Sequence, residues 1–95
     1  MYDFQTTFWT DFSIADMFGT DAVKDTYKRA FEEWKNDYKY LTELVMVLNW
    51  KIWEQWEKGR TELAEVYDQY WRECYDYGLN NHKGDELTYF WRTLD

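Results

Sequence analysis

Apolar and polar positions alternate along this chain with a period of three to four residues, which is the pattern of amphipathic α-helices. Gly19, Gly59, Gly78 and Gly84, together with short polar segments, interrupt the pattern and divide the chain into blocks. The connections between blocks are short, which favours antiparallel neighbours. The sequence therefore predicts an all-α fold, a small helical bundle of four to five helices forming a single domain over residues 1–95.

The interruptions also predict where each helix begins and ends. We expect helices over residues 10–18, 20–35, 38–58 and 61–77, and a last short helix that begins at Asp85. Gly78 is placed for a left-handed turn at the end of the fourth helix. Residues 1–9 are compatible with an extended segment or with a further helical turn, and the pattern does not decide between the two.

The third predicted helix has two apolar faces. The face expected to lie in the core comprises Leu41, Leu44, Val45, Leu48, Ile52 and Trp56. A second apolar patch, well away from the first face, consists of Met46, Trp50 and Trp53. A charged strip runs through Glu43, Lys51, Glu54 and Lys58, in which Glu54 and Lys58 form a favourable pair one helical turn apart. Such a helix is either central in the bundle or presents one apolar face to a partner.

The second patch has two interpretations. Because monomers seldom expose large apolar patches, we expect aromatic residues of the N-terminal segment to cover it. These residues are Phe4, Phe8, Trp9 and Phe12. The alternative is that Met46, Trp50 and Trp53 form a symmetric helix–helix interface, which makes the chain a self-associating homodimer.

Composition favours recognition over catalysis. The chain is 23% aromatic with seven Trp, yet it has one His, one Cys and a net charge of −8. Aromatic side chains supply buried area and recognition anchors, whereas His, Cys and clustered polar groups supply chemistry. We therefore expect no enzyme, no catalytic residue and no cofactor. The negative charge also disfavours direct binding to nucleic acid or to an anionic membrane.

The few reactive side chains have ordinary structural interpretations. Cys74 lies in the apolar stripe of the fourth helix, so a buried thiol is favoured over a nucleophile paired with His82. His82, Asp85 and Glu86 form a weak metal pattern, because structural zinc sites usually need four ligands. We expect a solvated loop there and no metal site.

Acidic side chains follow the outer side of the fourth helix, and Arg72 interrupts the row. The row comprises Glu62, Glu65, Asp68, Glu73 and Asp76. A rigid row of carboxylates can occupy a basic groove built for nucleic acid, and long-range attraction would speed its association. The alternative is a solubility face, because a net charge of this size is normal for a small domain. Both interpretations remain open.

Three segments carry a resemblance to known proteins. They are residues 8–16 (FWTDFSIAD), 40–49 (YLTELVMVLN) and 84–91 (GDELTYFW). Together they resemble a set of short acidic proteins encoded by conjugative elements and prophages of gut bacteria, to which no activity is assigned. The resemblance implies a mobile genetic element, where small acidic proteins often block host defence. By size and charge alone, the chain is similar to anti-CRISPR proteins.

These observations lead to one expectation and one alternative. The expected function is that of a non-enzymatic protein-binding module, an acidic nucleic-acid mimic that inhibits a host defence protein or another basic nucleic-acid-binding protein. The alternative is the self-associating helical protein that uses the patch of Met46, Trp50 and Trp53. We expect a cytoplasmic location, since no secretory signal or membrane span is apparent and the lone cysteine suggests no oxidising compartment.

Overall fold

In a computed structural model, which describes residues 4–81 and Gly84, the described chain forms four α-helices and no strand. The helices are α1 (Phe4–Asp16), α2 (Thr20–Trp34), α3 (Tyr38–Glu57) and α4 (Thr61–Asn81). The all-α prediction is confirmed. The predicted fifth helix, which begins at Asp85, lies outside the described residues.

The four helices pack around one core. The most extensive contact joins α3 to α4, while α1 lies against both α2 and α3, and α2 completes the bundle against α3 and α4. Each helix contributes fully buried side chains, for example Phe12 from α1, Val23 from α2, Leu44 from α3 and Tyr67 from α4. The rings of Phe12 and Tyr67 pack edge to face with centroids 5.6 Å apart, a favourable geometry for aromatic pairs.

Two helix ends differ from the prediction. Helix α1 begins at Phe4, six residues before the predicted Thr10, because Phe8 and Phe12 anchor one face of it in the core. Helix α4 continues through Gly78 to Asn81, so the prediction of a left-handed turn at Gly78 is wrong. Gly78 is buried within the helix, and the neighbouring Leu79 packs against the core.

The turn between α3 and α4 has a well-defined chemistry. Gly59 adopts a φ of 73°, its N–H donates to the carbonyl of Trp56, and the N–H of Arg60 donates to the carbonyl of Gln55. These two hydrogen bonds are those of a Schellman motif, in which the residue after the helix takes a left-handed conformation. Glycine adopts that conformation without steric cost, so Gly59 ends α3 and sets the direction of α4.

Candidate protein-binding surfaces

Helix α1 packs against Lys51 of the charged strip of α3, whereas Trp50 and Trp53 of the second apolar patch stay exposed. The side chain of Lys51, a member of the predicted charged strip, is completely buried. Phe8 and Phe12 are buried in the core and Trp9 is half-buried with its ring against the Lys51 ammonium, 4.6 Å from Nζ to the ring centroid. The side chain of Phe4 lies outside the described part of the chain. The expectation that the N-terminal aromatic residues cover the patch on α3 is therefore wrong for the described residues.

The buried ammonium of Lys51 has an acceptor for each of its three protons. Its Nζ lies 2.6 Å from Asp16 Oδ2, 2.6 Å from Glu54 Oε1 and 3.2 Å from Ser13 Oγ. The Tyr67 hydroxyl donates to the other oxygen of the Asp16 carboxylate. Burying a lysine is costly unless the charge is paired and hydrogen-bonded. The cluster meets both requirements and joins α1, α3 and α4.

Gln55 completes this cluster and leaves one polar atom without a partner. Its Nε2 donates to Asp16 Oδ2 at 3.1 Å and to Glu54 Oε1 at 2.8 Å. Both neighbours are carboxylates, which only accept, so the amide must turn its nitrogen towards them. Its Oε1 is consequently buried with no hydrogen-bond partner in the described structure.

The sequence contains a signal for this burial that the prediction overlooked. Lys51 and Gln55 continue the series of Leu44 and Leu48 with spacings of four, three and four residues, which places all four side chains on one helical face. Residue type, rather than spacing, placed Lys51 in the charged strip, because lysine is almost never fully buried unless it is paired. The partner, Asp16, lies 35 positions away in the sequence, so local periodicity could not identify it.

Three tryptophans are exposed on α3. Trp50 is 42% exposed, Trp53 64% and Trp56 49%, whereas Met46 is half-buried. The assignment of Trp56 to the core face is therefore wrong. At 100° per residue, Trp50, Trp53 and Trp56 span about a third of the circumference of the helix. The structure thus brings Trp56 next to the predicted patch, and we call Trp50, Trp53 and Trp56 the tryptophan face.

The acidic row lies on the side of α4 that faces away from the core. Glu62, Glu65 and Asp76 are exposed and make no ion pair within the described residues. Asp68 is half-exposed and accepts from Arg72 at 3.2 Å, an exposed pair one helical turn apart. Such pairs contribute little to stability. The row therefore presents carboxylates to solvent along most of α4.

The remaining member of the row, Glu73, is also engaged with α2. The Cys74 thiol donates to the Tyr27 hydroxyl at 3.5 Å, and that hydroxyl donates to Glu73 Oε2 at 3.1 Å. Burial raises the pKa of the Cys74 thiol from 9.0 to about 12. Burial likewise raises the pKa of Tyr27, and its interactions with Cys74 and with the Glu73 carboxylate raise it further. A thiol held neutral inside the core lacks the electropositive setting that a nucleophile needs.

Residues 4–81 contain neither a candidate metal site nor a candidate membrane-spanning helix. No three His, Cys, Asp or Glu side chains of this region are grouped in a way that could hold a metal ion. The candidate ligands His82, Asp85 and Glu86 lie outside the described residues. No described helix combines the length and apolarity needed to cross a bilayer.

The fold and its surfaces define a small all-α bundle with an exposed aromatic face and an exposed acidic row on adjacent helices. Comparison with protein families, with curated proteins and with solved structures finds no match for this chain.

Proposed function

We propose that this chain is a protein-binding module whose acidic row mimics the phosphates of a nucleic acid and occupies the basic groove of a nucleic-acid-binding protein. The observation that carries the proposal is the solvent exposure of the acidic row along the side of α4 opposite the core. The resemblance to proteins of mobile elements suggests a host defence protein as the class of target.

The spacing of the carboxylates supports the mimicry. Residues three or four positions apart on a helix are separated by about 5 Å along its axis, and Glu62 to Asp76 spans about 21 Å. Successive phosphates of a DNA strand rise about 3.4 Å before the winding of the backbone is counted, so the two spacings are of the same order. Because α4 is anchored in the core by Tyr67 and Cys74, the row is held rigid without the partner.

Capture by the immobilised chain tests the proposal. A nuclease-treated bacterial lysate is passed over the protein, which is washed first at low and then at high salt. We expect a basic nucleic-acid-binding protein that elutes at high salt and that double-stranded DNA displaces at low salt, because both ligands would compete for one groove.

A matched pair of variants makes this experiment specific. Glu62→Lys combined with Glu65→Lys reverses two charges of the acidic row, and we expect it to abolish capture. Asp25→Lys combined with Glu33→Lys reverses two exposed charges on α2 and changes the net charge by the same amount. Equal loss of capture with both pairs, or a captured protein that DNA does not displace, would contradict the mimicry.

The exposure of the tryptophan face favours self-association as the second candidate function. Trp53 alone leaves 64% of its surface in solvent, and aromatic side chains of this kind dominate protein interfaces. In this case two copies would bring their α3 helices together about a two-fold axis.

Sedimentation over a range of protein concentrations tests the second candidate. We expect a dimer for the unaltered chain and a folded monomer for Trp50→Asp, because a charge at the centre of an apolar interface is not compensated. Ile14→Asp, which places the same charge at an exposed apolar position of α1, is the control and should leave the dimer intact. A monomer at every concentration would exclude this candidate.

A further inference from the structure

A groove of about 510 Å³ runs between α1 and α2, on surfaces that neither proposed function uses. The two helices form a hairpin closed by a short turn in which Gly19 takes a φ of 105°. The groove is bounded at one end by Phe8 and Trp34, and at the other by Phe18 and Ala22. Along α1 it extends from Thr7 to Ala15, which is about 12 Å or about two helical turns.

The residues that line the groove repeat with the spacing of a helix-packing surface. On α1 the lining residues are Thr7, Phe8, Asp11, Ile14 and Ala15, and Phe18 follows in the turn after the helix. On α2 they recur at positions 22, 25–26, 29–30 and 33–34. A stripe with intervals of three and four residues on each of two neighbouring helices is the arrangement that receives a third helix. The shape of the groove therefore selects a helical occupant.

The groove has an apolar floor of small side chains. Ala15 is buried, and Ala22 and Ala30 are half-buried on the facing helix. Small residues allow another helix to approach closely, while larger apolar side chains stand at the rim. Phe18 is 76% exposed and Ile14 52%, so an occupant with an apolar stripe would cover surface that now faces water.

The charges of the rim select a cationic occupant. Asp11, Asp25 and Glu33 line the groove and are exposed, against the single cation Arg29. The Arg29 Nε donates to the backbone carbonyl of Asp25, and among the described residues Arg29 forms no ion pair with a carboxylate. Lysine or arginine side chains flanking the apolar stripe of an occupant would face these acids.

The same charges exclude a second copy of this chain as the occupant. Each of the four described helices carries a net negative charge. Inserting any of them into the groove would place acids against Asp11, Asp25 and Glu33, and like charges in contact oppose association.

We propose that the groove between α1 and α2 is a binding site for a cationic amphipathic helix of a partner protein. Apolar side chains of that helix contact Ala15, Ala22, Phe18 and Ile14, and its lysines or arginines face Asp25 and Glu33. This site is distinct from the acidic row of α4, so each can bind or fail to bind independently of the other.

Synthetic helical peptides of about 18 residues, long enough to fill the groove, test the site. One carries leucines spaced three and four apart with flanking lysines, the second has glutamates in place of the lysines, and the third has the same lysines with the leucines dispersed. We expect calorimetric titration to detect binding of the first peptide only. Equal binding of the first and third peptides would overturn the proposal, because it would mean that charge alone is recognised.

Variants of the chain locate the binding. Asp25→Lys with Glu33→Lys should lower the affinity for the first peptide about tenfold, because two attractions between the rim carboxylates and the peptide's lysines become repulsions. Phe18→Ser should weaken it through the loss of apolar contact, and its 76% exposure in the free chain means that folding does not depend on it. Glu62→Lys with Glu65→Lys on α4 is the control of equal charge and should alter the affinity by less than about twofold. If the control weakens binding as much as the groove pair does, the site is not this groove.

Discussion

At the scale of single residues, Lys51 departs furthest from ordinary expectation. It is a fully buried ammonium whose three protons meet Asp16, Glu54 and Ser13, while the ring of Trp9 lies 4.6 Å from Nζ. Burying a pair of charges is rarely worth more than burying apolar side chains of the same volume, but removing one partner is costly. The cluster therefore fixes the position of α1 against α3, because a shift of α1 along α3 would separate Asp16 from Lys51.

Replacing Asp16 tests the cluster. Asp16→Asn keeps the shape of the side chain but removes the charge beside Lys51, and we expect the free energy of unfolding to fall by about 3 kcal/mol. The control is Asp11→Asn, an exposed carboxyl on the same helix, which should change it by less than about 0.5 kcal/mol. Urea denaturation of the two variants gives the comparison. Equal stabilities would show that Lys51 does not depend on Asp16.

The buried thiol predicts a loss of stability in alkali. The pKa of Cys74 is about 12 in the folded chain, against 9.0 for an unperturbed thiol, because burial disfavours the thiolate. The unfolded chain thus releases its thiol proton first as the pH rises. The stabilisation is complete below pH 9 and is lost progressively as the pH rises from 9 towards 12.

Two variants separate the contribution of the thiol from that of the phenols. Burial also raises the pKa of Tyr67 above its ordinary 10.0, as do its hydrogen bond to Asp16 and the charges of Asp16 and Glu54. In Cys74→Ala, we expect a shallower fall in the free energy of unfolding as the pH rises above 9, measured by urea denaturation at each pH. In Tyr67→Phe, only the fall above pH 10 should become shallower. The same slope in Cys74→Ala as in the unaltered chain would contradict the assignment.

At the scale of helices, the periodicity of apolar positions was sufficient to predict the bounds of a helix that polar residues flank at both ends. The predicted bounds of the second and third helices lie within about one residue of α2 and α3, the ordinary uncertainty of a helix end. Periodicity left residues 1–9 open between an extended segment and a further helical turn, because residues 4–10 mix threonines with aromatic residues of modest helix propensity. Tertiary packing of Phe8 stabilises this helix, which local sequence cannot report.

The candidate surfaces were also predictable only where they depend on helical spacing and not on the packing of one helix against another. The exposure of Glu62, Glu65 and Asp76 follows from helical spacing alone, and the structure has them exposed. The groove between α1 and α2 could not be predicted, because it depends on where α1 begins and on which face of α3 it covers. The burial of Lys51 was missed for a different reason, because its residue type was given more weight than the helical spacing that places it on the face of Leu44 and Leu48.

The turn after α3 provides a prediction at this scale. Gly59→Ala should lower the free energy of unfolding by about 1 kcal/mol, because its φ of 73° is unfavourable for a residue with a Cβ. No atom lies within 4 Å of the position that the Cβ would occupy, so the cost comes from the backbone alone. Gly59→Asn is the control, because asparagine tolerates the left-handed conformation better than alanine does. Thermal denaturation should show that its stability lies between those of the unaltered chain and Gly59→Ala. If Gly59→Ala is as stable as the unaltered chain, the turn does not depend on glycine.

At the scale of the whole molecule, the bundle separates three surfaces on different helices. The acidic row lies on the outer side of α4, the tryptophan face on α3, and the groove between α1 and α2. One core holds these helices together, so charge reversal on one surface leaves the geometry of the others intact. This separation allows variants of equal net charge to distinguish a local contact from a general effect of the −8 charge.

The most direct test of the proposed function is the salt dependence of binding to the basic partner that the immobilised chain captures. We expect the affinity to fall steeply as the salt concentration rises, because the contact depends on exposed carboxylates that ions screen. In Glu62→Lys with Glu65→Lys, the affinity at low salt should fall and the salt dependence should flatten. An affinity that is the same at low and high salt would contradict the account, because a nucleic-acid mimic cannot bind a basic groove without electrostatic attraction.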